Sequence, residues 1–209
     1  MSSQSLLLVL TGVAALTNWS TRFRANPTLE TISKPLTTAL VIGVALTSGA
    51  PSAQVTVAVI ALVLCLLGDV FLLSSVDRFV PGLASFLLGH VVFVVLFFQY
   101  GLTSNTLAGL AIVLAALLAG SIGRVIVAGA AHADAALRKP VLAYLLVISA
   151  MGVFGWATGR WWVVVGTTLF VASDSVLGWG RFVRDRPWMS PVVMITYHAA
   201  IVSLALSLR

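Results

Sequence analysis

Long apolar runs separated by short polar segments are the main pattern of this sequence. Each run is near the ~20 residues that a helix needs to cross ~30 Å of hydrocarbon. The pattern predicts eight transmembrane helices, over residues 4–20, 35–50, 53–73, 81–100, 105–123, 140–157, 160–179 and 190–208. Proline suits a first helical turn, and Pro35, Pro81, Pro140 and Pro191 are expected there. The longest connections, 21–34 and 124–139, are predicted to be loops.

The composition places the chain among membrane proteins. Hydrophobic residues make up 60% and charged residues only 9% of the 209 positions, which excludes a soluble globular domain. The predicted fold class is therefore an all-α integral membrane protein. The single cysteine, Cys65, lies in an apolar run, so neither a disulfide framework nor a cysteine-based metal site is expected.

Basic residues give the chain a net charge of +6, and they stand between the apolar runs. Ten of the 12 Lys and Arg residues fall on one side of the predicted bundle, and Arg160 and Arg209 fall on the other. Because cationic loops stay cytoplasmic, both termini are expected outside, in a plasma membrane of bacterial type. The charge is attributed to topology and to contact with membrane lipids, and no nucleic-acid partner is expected. The first run, which follows no basic segment, is expected to be a retained helix rather than a signal peptide.

The two halves of the sequence share an ordered spacing. Lys34-Pro35 precedes Asp69 by 35 positions, and Lys139-Pro140 precedes Asp174 by the same 35. We therefore expect one membrane domain, 1–209, made of two parallel four-helix pseudo-repeats, 1–104 and 105–209. Coincidence is the alternative, since the individual residues are common at helix ends.

Ionisable residues inside the apolar runs are the candidates for chemistry. At a rise of about 1.5 Å per residue, Asp69 is expected about 6 Å, Asp174 about 9 Å and His90 about 10–14 Å inside the cytoplasmic end. Such groups usually face a cavity or a partner. The alternatives are a structural pairing of either acid with Lys34 or an arginine, and a packing role for His90.

Two other kinds of site are not expected. No helix carries a His-x-x-His or Glu-x-x-His ligand pair, so no metal or other cofactor is predicted. The sequence contains no Gly-x-Ser-x-Gly elbow, and Ser173 beside Asp174 does not make a nucleophilic triad.

Several short motifs together resemble a known family. They are Lys34-Pro35, Gly68-Asp69 with Leu72, Gly82 with Phe86, Gly89-His90, Phe170, Ser173-Asp174-Ser175 and Tyr197. Their order and spacing are similar to those of the YhhN-like family, whose vertebrate relatives are lysoplasmalogenases of the transmembrane-protein-86 type. The resemblance covers nearly the whole chain.

The resemblance implies hydrolysis of the vinyl-ether bond of a lysoplasmalogen, with a lysophospholipid as substrate and a fatty aldehyde as one product. Enol ethers are hydrolysed by protonation at carbon, and a carboxyl pair suits the resulting cation, as in glycosidases. The expected catalytic residues are Asp69, Asp174 and His90, with no choice between the two acids. The expected substrate-binding residues are Lys34, Ser173, Tyr197, Arg78 and Arg181. The alkenyl chain is expected among Phe86, Phe93 and Phe170.

Two functions of other classes remain as alternatives. A lipid or small-molecule transporter is one, because tandem repeats and intramembrane acids are common in transporters. A non-catalytic lipid-binding or structural membrane protein is the other.

Overall fold

A computed structural model describes residues 2–24 and 26–209. In these residues the chain is built of helices. The α-helices are α1 (Ser3–Phe23), α2 (Pro27–Leu46), α3 (Ser52–Phe71), α4 (Phe79–Tyr100), α5 (Asn105–Leu118), α6 (Arg124–Ala133), α7 (Arg138–Ala157), α8 (Trp161–Phe182) and α9 (Met189–Leu206). A π-helical turn, Ala119–Gly123, joins α5 to α6, and a 3₁₀ turn, Ala135–Leu137, leads into α7.

The described helices make eight segments that are long and apolar enough to cross a membrane. Because the π turn continues α5 into α6, residues Asn105–Ala133 form one segment of 29 residues. This count confirms the prediction of an all-α integral membrane protein with eight transmembrane helices.

The predicted start of the second helix was wrong. α2 begins at Pro27, where the Asn26 side chain accepts a hydrogen bond from the Leu29 backbone N–H at 3.1 Å. Asparagine followed by proline is a strong helix start, and it outweighs the low hydropathy of the first turns. Pro35 therefore lies inside α2, and the Lys34 side chain is buried in the helical bundle. Pro81, Pro140 and Pro191 do fall in the first turns of α4, α7 and α9.

The predicted loop over 124–139 is also mostly helical, since α6 and the 3₁₀ turn occupy it. A glycine permits α6 to approach α8 closely: a methyl group at Gly129 would overlap the Phe182 carbonyl. Ile126 and Ala130 on the same helix are buried. The contact holds the C-terminal end of the long segment Asn105–Ala133 against the bundle.

α9 lies at the centre of the bundle and α5–α6 at its edge. In α9, 56% of the membrane-spanning window is buried inside the protein, against 17% for Asn105–Ala133. α9 packs on α1, α2 and α8, while α4 packs on α3 and α7. Aromatic side chains of α4 and α8, including Phe93, Phe97 and Phe170, fill the core between these helices.

Candidate functional site

Asp69, near the end of α3, is held by two neighbouring helices. Its side chain is fully buried. The Thr38 hydroxyl on α2 donates to Oδ2 at 2.5 Å, and the Tyr197 hydroxyl on α9 donates to the same oxygen at 2.8 Å. The other oxygen, Oδ1, lies 3.8 Å from Nζ of Lys34. The buried carboxyl group thus has two hydroxyl donors and one cation around it, as a buried acid requires.

Asp174, on α8, has a separate set of partners. The Tyr144 hydroxyl on α7 donates to Oδ2. Nε2 of His90 on α4 lies 3.4 Å from the same oxygen and 3.0 Å from the Tyr144 hydroxyl. The Asp174 side chain keeps 12% of its surface exposed, whereas that of His90 is fully buried.

The two carboxyl groups therefore have matching surroundings. Each accepts a hydrogen bond from a tyrosine, and each lies beside a basic side chain. Sequence reasoning missed Tyr144 and Thr38. The signal for Tyr144 is present, because a tyrosine hydroxyl in an apolar helix needs a partner, but the sequence does not show which partner it finds.

A polar cavity of about 420 Å³ brings both acids together between α2, α3, α8 and α9. The described charged residues that line it are Arg22, Glu30, Lys34, Asp69, Asp174, Arg181 and Asp185. Ser173 and Tyr197 line it as well. The sequence predicts five substrate-binding residues. Four of them line this cavity: Lys34, Ser173, Tyr197 and Arg181.

An apolar cleft of about 460 Å³ adjoins this cavity, between α4, α5, α7 and α8. Leu83 of α4, Ala115 of α5 and Leu145 of α7 are among its lining residues. At its far end the Trp156 indole N–H donates to the Thr168 hydroxyl at 2.9 Å.

Asp174 belongs to both spaces, as does Phe86. Asp69 belongs to the lining of the polar cavity. Phe86 stands between the spaces, with its ring edge-on to Tyr197 at 5.6 Å between centroids. Asp174 is thus the carboxyl group at the junction of an apolar cleft and a charged cavity.

Some expected residues lie elsewhere. Arg78 is exposed before α4 and is not among the described residues lining either space. Phe93 and Phe170 are buried in the core rather than along the described cleft lining. His90 reaches the site through Asp174 and Tyr144.

Other polar groups have structural partners. The Ser173 hydroxyl donates to the Val193 carbonyl at 3.0 Å, which ties α8 to α9. Nδ1 of His198 accepts a hydrogen bond from the Trp19 indole at 3.0 Å. Arg22, which sequence reasoning did not select, lines the polar cavity and pairs with Glu30 at 2.9 Å.

Within residues 2–24 and 26–209, no group of three or more His, Cys, Asp or Glu side chains is arranged to hold a metal ion.

The fold and site define a polytopic membrane protein with two carboxyl groups in one cavity of its helical bundle. The chain belongs to the YhhN family, whose sequence model matches residues 29–208. This match confirms the resemblance found in the sequence.

Two relatives carry the same name. Human lysoplasmalogenase TMEM86B is 35% identical over 149 residues, which cover 70% of this chain and 61% of the human protein. Rat lysoplasmalogenase TMEM86B is 39% identical over 79 residues, covering 36% of this chain and 32% of the rat protein. The chain thus spans less than two thirds of the length of these relatives in the aligned regions. No solved structure matches the chain.

Proposed function

We propose that the protein is a membrane-embedded hydrolase that cleaves the vinyl-ether bond of lysoplasmalogens. The products are a fatty aldehyde and a glycerophospho-alcohol. The name of its human relative supports this proposal, and so does the arrangement of the two adjoining spaces.

The observation that carries the proposal is the position of Asp174 where the cleft meets the cavity. A lysoplasmalogen has one apolar chain and one charged head group, and its vinyl-ether bond lies where they join. With the chain in the cleft and the head group in the polar cavity, that bond lies beside Asp174. Both spaces are within the range of about 300–1,000 Å³ that is usual for ligand pockets.

Arg181 is the cation best placed to hold the phosphate. Lys34 is buried beside Asp69, and Arg22 is paired with Glu30 at 2.9 Å. Arg181 has a looser pair, with Asp77 at 3.8 Å, and half of its side chain is exposed. An exposed pair of this kind is weak and exchanges readily for a phosphate partner.

The reaction needs a proton donor at carbon. The donor transfers a proton to the vinyl carbon remote from oxygen, the π electrons form the new C–H bond, and the positive charge moves onto the carbon–oxygen unit. Water adds to that carbon and gives up a proton, forming a hemiacetal. The hemiacetal releases the glycerol oxygen, which takes the hydroxyl proton, and the aldehyde remains.

Asp69 and Asp174 provide the two carboxyl groups that this chemistry uses. One donates the proton and the other, as a carboxylate, stabilises the cation, as carboxyl pairs do in glycoside hydrolysis. Burial away from water strengthens the interaction of a carboxylate with a nearby cation. His90 lies beside Asp174, with Nε2 3.4 Å from Oδ2 of the carboxyl group.

We further infer that both termini lie outside, so that the polar cavity opens toward the cytoplasmic leaflet of a plasma membrane. The bias of Lys and Arg to one set of connections supports this orientation. The substrate then comes from the lipids of that leaflet.

The test is an assay of purified protein with three lysolipids that share one head group: a vinyl ether, a saturated ether and an ester. The proposal predicts aldehyde from the vinyl ether alone, with turnover reduced by orders of magnitude in Asp69→Asn and in Asp174→Asn. Fatty acid released from the ester, or wild-type turnover in both variants, would contradict it. Lysolipid movement across vesicles without any product would instead favour the transporter.

A further inference from the structure

We propose that Asp174 is the proton donor of this reaction and that Tyr144 is the positioning residue that orients it. The inference rests on the proposed vinyl-ether hydrolysis and adds a division of labour between the two carboxyl groups. Asp69 is then the carboxylate that stabilises the cation.

Access to the bond separates the two acids. Asp174 has an exposed portion and lines both the cleft and the polar cavity. Asp69 is fully buried, with Lys34 beside Oδ1 and two hydroxyl donors on Oδ2. A proton donor must reach the atom that receives its proton, so geometry selects Asp174 before any question of acidity.

The two oxygens of Asp174 have different surroundings. The Tyr144 hydroxyl and Nε2 of His90 both contact Oδ2 of Asp174. The described hydrogen bonds of Asp174 thus leave Oδ1 for the substrate. In the protonated acid, Oδ1 carries the proton and Oδ2 accepts from Tyr144. When the proton leaves, the Tyr144 hydrogen bond becomes one to a charged acceptor, which is stronger and so favours the transfer.

Proton counting fixes the role of His90. A tyrosine hydroxyl carries one proton, and that of Tyr144 is donated to Asp174. Nε2 of His90, 3.0 Å from the Tyr144 oxygen, must therefore be the donor in that contact. The hydrogen bonds thus run from His90 through Tyr144 to Asp174, and each bond polarises the next. His90 also lies 3.4 Å from Asp174, but its contact with Tyr144 is shorter, so the stronger hydrogen bond of His90 is the one to Tyr144.

The proton balance closes on Asp174. Oδ1 gives its proton to the vinyl carbon, and the carboxylate then takes a proton from the attacking water. The same residue serves first as acid and then as base, as one carboxyl group does in retaining glycosidases.

The three tyrosines of the chain provide a matched test. Tyr144→Phe removes the hydroxyl group that donates to Asp174. Tyr100→Phe removes a hydroxyl group that bonds the Ser207 hydroxyl at 3.1 Å, and Tyr100 is not among the described residues that line either space. We expect Tyr144→Phe to lower kcat about 10- to 100-fold with little change in KM, as for a lost hydrogen bond to a charged group. Tyr100→Phe should keep the wild-type kcat, and the thermal unfolding of both variants shows any structural loss.

A double-mutant cycle tests the route through Tyr144. His90→Gln should lower kcat in the wild-type background and have a much smaller effect in Tyr144→Phe, because coupled residues are not additive. The solvent isotope effect on kcat should also rise in Tyr144→Phe, where proton transfer becomes slower. A merely structural tyrosine would leave that isotope effect unchanged.

The outcomes separate the two proposals. If the wild-type protein makes no aldehyde, the proposed function fails. If the wild type makes aldehyde but Tyr144→Phe matches Tyr100→Phe, or the cycle is additive, only this inference fails. If Tyr144→Phe does not fold, His90→Gln and the comparison of the two Asn variants still decide it: product formation retained by Asp174→Asn but lost in Asp69→Asn would overturn the assignment.

Discussion

Lys34 and Asp69 form an ion pair inside the helical bundle, with Nζ 3.8 Å from Oδ1. The two side chains come from α2 and α3 and are almost fully enclosed. Two facing charges in such a place are tolerated because each offsets the other, while either one alone is strongly unfavourable.

Lys34→Met is therefore expected to destabilise the protein by about 3–5 kcal/mol, since it leaves the Asp69 carboxylate without its cation. The measurement is the free energy of unfolding in detergent. The matched control is Lys34→Met combined with Asp69→Asn, which removes both charges and should recover most of the loss. Equal or greater destabilisation of the double variant would show that the pair has no such coupling.

Arg181→Gln is expected to raise KM several-fold with little change in kcat, because Arg181 lines the polar cavity and holds the phosphate in the proposed complex. Arg78→Gln provides the control at a neighbouring arginine that stands outside the described cavity lining. The difference in KM between the two variants should shrink at high salt, which screens exposed charges. Equal KM values for the two variants would remove Arg181 from head-group binding.

Ala115→Trp is expected to lower kcat/KM more than 10-fold by filling the apolar cleft, whose wall includes Ala115. Ala116→Trp adds the same side chain to the next residue, which is exposed on the outside of α5. Its activity should stay near that of the wild type, because an aromatic side chain is tolerated in lipid. Similar losses in both variants would mean that the cleft does not hold the chain.

Gly129→Ala is expected to destabilise the protein by about 1–3 kcal/mol, since the added methyl group meets the Phe182 backbone, which does not move freely. Gly109→Ala is the control: its methyl group meets no described atom within 4 Å, and alanine favours a helix. Thermal unfolding of both variants checks this. A stable Gly129→Ala protein would show that α6 is not held by close contact with α8.

Hydropathy was sufficient for the architecture because a membrane helix needs little more than length and apolar composition. It failed at Asn26-Pro27, where capping chemistry starts α2 within a polar stretch. It failed again after Gly123, where α6 follows the π turn through a segment that was predicted to be a loop. The two parallel pseudo-repeats stay a prediction. Lys34 and Lys139 would occupy equivalent positions in them, yet Lys34 is buried and Lys139 is exposed.

The acids of the site were visible in the sequence because a carboxyl group in an apolar run is rare. Their partners were not. Tyr144 meets Asp174 only because α7 packs on both α4 and α8, and no local pattern encodes that meeting. Arg22 likewise reaches the cavity through the packing of α1 on α2.

The account depends on one chemical event, the protonation of a vinyl carbon by the protein. The most direct measurement is the mass of the aldehyde that the purified wild-type protein releases from a lysoplasmalogen in D₂O. The account predicts a single deuterium on the carbon next to the carbonyl group. Aldehyde without deuterium at that carbon, or a fatty acid in its place, would contradict it.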